Sequence, residues 1–116
     1  MGWNMNMSEI KIDFEKLVSQ NSKRLFAGRA NGQQAYVYFN INNFSKGDVL
    51  ELNVPQEVIV SSSYYLGMLE KILPLFNNTT EFYKSTKYKG VEYKEGMLEE
   101  FDRAVKRGLH KNEALF

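Results

Sequence analysis

The sequence contains no cysteine and a single histidine, His110, among its 116 residues. Disulfide bonds, thiolate zinc sites and a cysteine nucleophile are therefore excluded, and one histidine cannot form a histidine cluster around a metal. An excess of charge is also missing, because 15 basic and 14 acidic residues leave a formal net charge of +1. Global attraction to nucleic acid or to an anionic membrane is thus excluded, and either role would need a local patch.

Long apolar runs are absent as well. No stretch approaches the roughly 18 consecutive apolar residues of a membrane span, and no basic region followed by an apolar run opens the sequence. We expect neither a membrane span nor a secretion signal, and we predict a cytoplasmic protein. With 43% hydrophobic and 14% aromatic residues, the chain has enough apolar surface for one core. The sequence predicts a loose tail over residues 1–7, which lack periodicity, and a single domain over residues 8–116.

Two stretches in the first half of the chain are typical of strands. Ile10, Ile12 and Phe14 alternate with charged residues, which is the period-2 pattern of a strand buried on one face. The apolar run 49–52, which ends shortly before Pro55, predicts a short buried strand.

The segment between these strands is harder to interpret. Gly28 and Gly32 lie close to an asparagine, and this composition predicts a loop with positive φ angles. Residues 33–44 combine the strand propensity of 36–39 with apolar residues at helical spacing. The local pattern alone leaves helix and strand open for this segment.

In the second half, a helical pattern begins at Ser62. Apolar residues from Tyr65 to Leu73 recur at steps of three and four, a serine is available as the N-cap, and Pro74 closes the segment. Residues 77–80 are predicted to form a polar turn.

The end of the chain contains two strand candidates and one clear helix. Residues 81–83 and 91–93 are short strand candidates around Gly90. The last helix is predicted by five apolar residues on one face, which are Leu98, Phe101, Ala104, Val105 and Leu109. Two acid-before-base pairs at four-residue spacing support it, namely Glu99 with Arg103 and Asp102 with Lys106.

A triplet of serines follows the strand-like run 58–60 and opens the middle helix. Serine hydroxyls satisfy the unpaired N–H groups of a first helical turn, and the positive end of the helix dipole tolerates a phosphate or another anion. The simpler interpretation is that one serine is an N-cap and its neighbours only fill space.

The same stretch resembles a known family. Val49–Leu52, followed by Val60–Tyr64 and an apolar helix, is similar to a STAS-type domain, named for sulfate transporters and anti-sigma-factor antagonists. Gly28 and Arg29 with Gly32, together with the helix start at Ser62, resemble the bacterial STAS-like domains of unknown function. The resemblance covers roughly residues 8–110. It implies a helix after the glycine–arginine segment, so we predict a helix over 33–44.

The resemblance implies a single α/β (α+β) domain with a small mixed sheet of four to five strands flanked by helices. It also implies a non-enzymatic protein-binding or regulatory module. The candidate interaction or phosphoacceptor corner consists of Ser61, Ser62, Ser63, Tyr64, Gly28 and Arg29. The chain departs from the phosphorylated members at Ser61, where they have Asp, and at Tyr64, where they have Gly.

A second candidate surface combines aromatic and basic residues, namely Tyr83, Lys84, Lys87, Tyr88 and Lys89. Lysines between tyrosines could bind single-stranded nucleic acid through phosphate contacts and stacking. A solvated hairpin is the favoured interpretation, because alternate residues of a strand face opposite sides. An alternative function remains: a small phage or mobile-element inhibitor that binds a host enzyme or nucleoprotein through these aromatics and Tyr93.

Catalytic motifs are not found. Asp13 with Glu15, and Glu99 with Glu100, belong to ordinary strand and helix-face patterning, and His110 is expected at the surface beside a helix end. We therefore predict no catalytic residue, no metal and no cofactor. A protein partner is expected, whereas nucleic acid and membrane are not, and self-association stays open.

Overall fold

A four-stranded mixed sheet lies at the centre of the fold in the computed structural model, which describes residues 8–110. In chain order the elements are β1 (Glu9–Asp13), α1 (Phe14–Asn21), β2 (Leu25–Phe26), α2 (Arg29–Tyr38), β3 (Val49–Asn53), β4 (Ile59–Val60), α3 (Ser62–Leu69), α4 (Thr79–Lys84), β5 (Thr86–Tyr88), β6 (Val91–Glu92) and α5 (Glu99–His110). The predicted tail over residues 1–7 lies outside the described residues, as does the 111–116 end of the predicted domain.

The strand order of the main sheet is β1-β3-β5-β6. β3 pairs in parallel with β1 and with β5, whereas β6 is antiparallel to β5. A second, two-stranded sheet pairs β2 with β4 in parallel. The described residues therefore form a compact α+β domain, which confirms the predicted fold class and the predicted size of the mixed sheet.

Strands β1 and β3 confirm the alternating and apolar patterns. Ile10 and Ile12 are buried and lie in register with Leu50 and Leu52 of β3. Phe14 is fully buried, but it begins α1 instead of extending the strand. The backbone turns there because the Asp13 side chain accepts a hydrogen bond from the Glu15 N–H and caps the helix.

The loop predicted around Gly28 and Gly32 is wrong. Gly28 does adopt a positive φ of 95°, but it is the N-cap of α2, and Gly32 lies inside that helix. The backbone is helical at Gly32 because this residue packs directly against α3, and the contact outweighs the weak helix propensity of glycine. The helix predicted over 33–44 is confirmed as far as Tyr38, after which a 3-10 turn covers Ile41–Asn43.

Two predictions in the second half need correction. The middle helix begins at Ser62 as predicted but ends at Leu69, short of the predicted end at Leu73, and Pro74 lies in the 3-10 turn Leu73–Leu75. The strand predicted at 81–83 is part of helix α4. Asn78 caps that helix by accepting a hydrogen bond from the Glu81 N–H at 2.9 Å.

The hairpin and the last helix follow the predictions more closely. β6 covers the first part of the predicted 91–93 strand, and α5 buries the predicted apolar face. The predicted pairs at four-residue spacing are not formed: Arg103 contacts Glu100, and Lys106 contacts Glu95. Asp102 is buried in hydrogen bonds instead.

Aromatic rings dominate the core between the sheet and the helices. Phe101 of α5 meets Tyr65 of α3 edge to face, with ring centroids 5.2 Å apart, and Phe14 meets Phe26 in the same way at 5.2 Å. None of the helices between residues 8 and 110 has the length and apolar character that crossing a membrane requires.

Candidate functional site

The N-terminal ends of α2 and α3 lie close together because the strands before them are paired. β2 and β4 run in parallel, and the Ser61 N–H donates to the carbonyl oxygen of Phe26 at 2.9 Å. Each strand leads at its carboxyl end into one of the two helices. The Gly28–Arg29 segment and the serine triplet, which are more than 30 residues apart in the sequence, therefore belong to one region of the molecule.

Glycines bring α2 and α3 into backbone contact. A Cβ atom built on Gly32 would lie 2.0 Å from the carbonyl oxygen of Tyr64, and one built on Gly67 would lie 2.1 Å from that of Arg29. No side chain fits at either position without moving a backbone. Gly67 was not singled out from the sequence, although a glycine inside an apolar helical pattern is a signal of close approach.

The serine triplet is largely engaged in holding the start of α3. Ser61 is the N-cap, because its Oγ accepts a hydrogen bond from the Tyr64 N–H at 3.2 Å. Ser63 Oγ lies 3.0 Å from Ser61 Oγ. The Ser62 N–H donates to Glu100 Oε1 at 3.0 Å, so a carboxylate from α5 occupies the positive end of α3. The predicted serine cap is confirmed, whereas the part played by Glu100 was not predicted.

Arg29 joins α2 to the end of α3. Its Nε donates to Glu70 Oε1 at 3.2 Å, and Gln33 Nε2 donates to Glu70 Oε2 at 2.7 Å. The hydrogen bond to Glu70 raises the pKa of Arg29 above its ordinary value. The positive charge of Arg29 is thus balanced by the Glu70 carboxylate, and the positive end of the α3 dipole is balanced by the Glu100 carboxylate.

Tyr64 is turned into the core, unlike the serines beside it. Its ring lies 5.9 Å from that of Phe14 and 5.7 Å from that of Phe26, and only 4% of the residue is exposed. Burial raises the pKa of Tyr64 to about 12. The hydroxyl is therefore protonated, and able to donate, at neutral pH.

Two apolar side chains project from the outer face of the small sheet. Leu25 and Ile59 are directly opposite each other on β2 and β4, and they are 58% and 63% exposed. Their inward neighbours Phe26 and Val60 are buried. Because the Ile59 N–H is bonded to Arg24, the N–H and C=O of Leu25 point away from β4, toward the outer edge of β2.

The structure separates the residues of the aromatic and basic surface. Tyr83 and Tyr93 are buried, and both hydroxyls donate to Asp102 Oδ1, at 2.7 and 2.6 Å. Burial, together with the hydrogen bond to Asp102, raises the pKa of both tyrosines. Tyr88 is half-buried, with Lys84 and Lys89 exposed and Lys87 half-buried nearby. A hairpin is present as β5 and β6, but its first strand covers Thr86–Tyr88 and not the predicted 81–83, and Tyr83 and Tyr93 do not offer exposed faces for stacking.

Between residues 8 and 110, no three histidine, aspartate or glutamate side chains are grouped so that they could hold a metal ion. Comparison of the chain with protein-family models, curated proteins and solved structures finds no match. The similarity to STAS-like domains therefore stays a prediction.

Proposed function

We propose that this chain is a non-enzymatic protein-binding or regulatory module, similar in kind to STAS-like domains, which binds its partner at the corner where α2 and α3 begin. The observation that carries the proposal is the pair Leu25 and Ile59, which stand side by side and more than half exposed beside that corner. Fully burying a side chain of this size is worth about 1.5 to 3 kcal/mol, so two of them can supply a large share of the affinity of a transient complex.

The polar groups of the corner support binding over catalysis. Arg29 is matched by Glu70, the start of α3 is matched by Glu100, and Ser61 caps a helix. These groups fix the two helices rather than present a nucleophile to solvent. A surface that is held rigidly before binding loses little entropy when the partner arrives.

Ser62 is the position at which this surface could be regulated. A phosphate there would add a charge of about −1.5 to −2 beside the Glu100 carboxylate, which accepts a hydrogen bond from the Ser62 N–H. Both anions would compete for the start of α3. We expect Ser62→Asp to fold and to lose about tenfold in partner affinity. Adding Glu100→Gln should restore part of the loss, since the repulsion between carboxylates is then removed.

The proposal is tested by capturing partners from the native cell with the tagged full chain. Leu25→Thr and Ile59→Thr remove the apolar pair while keeping β propensity, and Val91→Thr changes an equally exposed strand residue in the other sheet. Because all three side chains are exposed, the free energy of unfolding of each variant should lie within about 0.5 kcal/mol of that of the parent. A specific partner should be retained by the parent and by Val91→Thr, and lost with the other two.

Purified partner then gives the affinities directly. A loss of about tenfold or more for Leu25→Thr and Ile59→Thr, with Val91→Thr unchanged, would support the assignment of this corner. Equal affinity for all four proteins, or no partner enriched over an unrelated domain carrying the same tag, would overturn it.

A further inference from the structure

A groove lies between α1 and α2, on the side of the molecule where Tyr64 enters the core. Its volume is about 200 Å³, and the residues that matter for its chemistry are Leu17, Lys23, Phe26, Asn31, Gln34 and Tyr64. Cavities that hold drug-sized molecules and cofactors measure about 300 to 1,000 Å³. The groove is therefore the size of one amino-acid side chain rather than of a cofactor.

Among the residues that the structure describes, none accepts a hydrogen bond from the Tyr64 hydroxyl. The only hydrogen bond of Tyr64 to a side chain within residues 8–110 is made by its backbone N–H. No buried side-chain oxygen or nitrogen in the same range lacks a partner, so this hydroxyl is not sealed in the core. Tyr64 is one of the residues that line the groove.

The lining of the groove carries a single charge. Among residues 8–110, Lys23 is the only charged residue that lines it, and Glu15, the acidic residue of α1, is not part of the lining. Lys23 belongs to the groove, and its Nζ lies 5.5 Å above the Phe26 ring.

The exposed face of α2 beside the groove has no charge of its own. Residues 30–45 contain no charged residue, and Asn31 and Gln34 bring side-chain amides to the groove. A cation, amide donors and a buried phenol together suit a ligand that carries acceptors and a negative charge. The ring of Phe26 and the side chain of Leu17 provide apolar walls for its methylene groups.

We propose that the α1–α2 groove binds the carboxylate side chain of a glutamate or aspartate in an acidic segment of the protein partner, with Tyr64 and Lys23 as its main contacts. The proposal rests on the proposed function, since it names the chemistry of the partner and adds an anchor next to the apolar pair of the small sheet. The carboxylate would accept from the Tyr64 hydroxyl and pair with the Lys23 ammonium group.

The test uses two short probes and needs no partner. The peptides acetyl-Ala-Glu-Ala-amide and acetyl-Ala-Gln-Ala-amide differ only in the charge of the central side chain. Each is titrated into the ¹⁵N-labelled full chain at millimolar concentrations, and backbone amide shifts are followed by NMR. The glutamate peptide should shift residues lining the groove, and the glutamine peptide should bind more weakly by about fivefold or more.

Matched variants separate the two contacts from general effects. Tyr64→Phe removes only a hydroxyl and should keep the fold, while Lys23→Gln removes the charge. Each variant should lower the affinity for the glutamate peptide by about fivefold or more. Tyr36→Phe changes a partly buried tyrosine of α2, and Lys89→Gln changes a lysine whose Nζ lies 5.5 Å above the Tyr88 ring beside the main sheet. Both controls should bind like the parent.

Three results would overturn the proposal: equal binding of the two peptides, shifts centred away from the groove, or no saturable shift at millimolar concentrations. Failure here is distinct from failure of the proposed function. Partner capture that depends on Leu25 and Ile59 would still stand without the groove, and carboxylate binding in the groove would still stand if no partner were captured.

Discussion

Gly67→Ala is the sharpest test of how α2 and α3 are packed. The added methyl carbon would lie 2.1 Å from the carbonyl oxygen of Arg29 and 2.9 Å from the backbone nitrogen of Gln33. Ordinary contact begins at 3.4 Å, so the two helices must separate by more than 1 Å. Both atoms belong to the backbone of α2, and no rotation of a side chain can relieve the clash.

The expected loss of stability follows from two opposing effects. Alanine is better than glycine inside a helix by about 1 kcal/mol. Overpacking costs typically about 1 to 3 kcal/mol, and a clash with rigid backbone belongs at or above the upper end of that range. We expect a net loss of about 2 kcal/mol or more in the free energy of unfolding. For a domain of this size such a loss lowers the melting temperature by roughly 8 to 16 °C.

Gly108→Ala in α5 is the matched control. The nearest atom to its added methyl carbon is Leu73 Cδ1 at 2.2 Å, the far end of a side chain that can move. The gain in helix propensity then offsets the repacking, and stability should stay within about 1 kcal/mol of the parent. Urea and thermal unfolding followed by circular dichroism measure both variants. Gly67→Ala as stable as the parent, or no less stable than Gly108→Ala, would refute the reasoning.

Further variants test the core, the cap and the hairpin. Phe101→Ala should cost about 3 to 5 kcal/mol because the ring is fully buried, and a melting temperature within about a degree of the parent would contradict this. Ser61→Ala should cost about 0.5 to 2 kcal/mol while Ser62→Ala costs almost nothing, and the reverse order in urea unfolding would reassign the cap. The hairpin lysines should not bind single-stranded nucleic acid in a fluorescence anisotropy assay. Salt-sensitive binding by the parent that disappears when Lys84, Lys87 and Lys89 are changed to glutamine would contradict this prediction.

The elements that the sequence predicted correctly are those with one buried face over a whole segment. β1 alternates over five residues, and α5 repeats its apolar positions over three turns. In both elements one face is buried, so apolar residues recur every second residue in the strand and every three to four residues in the helix, and the two patterns are easily told apart. β3 could be recognised for a related reason, because a short apolar run that is soon followed by a proline is typical of a buried parallel strand.

The elements that were missed are short or are decided by distant contacts. β2 contains only two residues, so no period can show, and it forms by pairing with β4 more than 30 residues away. α4 was taken for a strand because Asn78 and the threonines after it are typical of a turn, yet the same residues cap a short helix. Gly32 indicated a loop because the sequence does not show that α3 lies against it.

The candidate site shows the same division. The serine triplet could be found from the sequence, because serine at a helix start has a local physical reason, whereas Gly28 and Arg29 were indicated by the resemblance to STAS-like domains and were predicted to lie in a loop. Glu70 and Glu100, which neutralise this corner, could not be found, since nothing local distinguishes them from other surface acids. The corner is consequently less receptive to anions than its sequence indicates.

The position of Tyr64 explains why a run of adjacent residues in a helix is not in itself a site. Successive helical residues point about 100° apart, so Ser62, Ser63 and Tyr64 cannot share one surface. Ser62 meets α5 through Glu100, whereas Tyr64 enters the core and lines a groove beside α1. One helix start therefore contributes to two separate surfaces. A substitution at Ser62 should leave carboxylate binding in the groove unchanged, and Tyr64→Phe should leave the Glu100 contact intact.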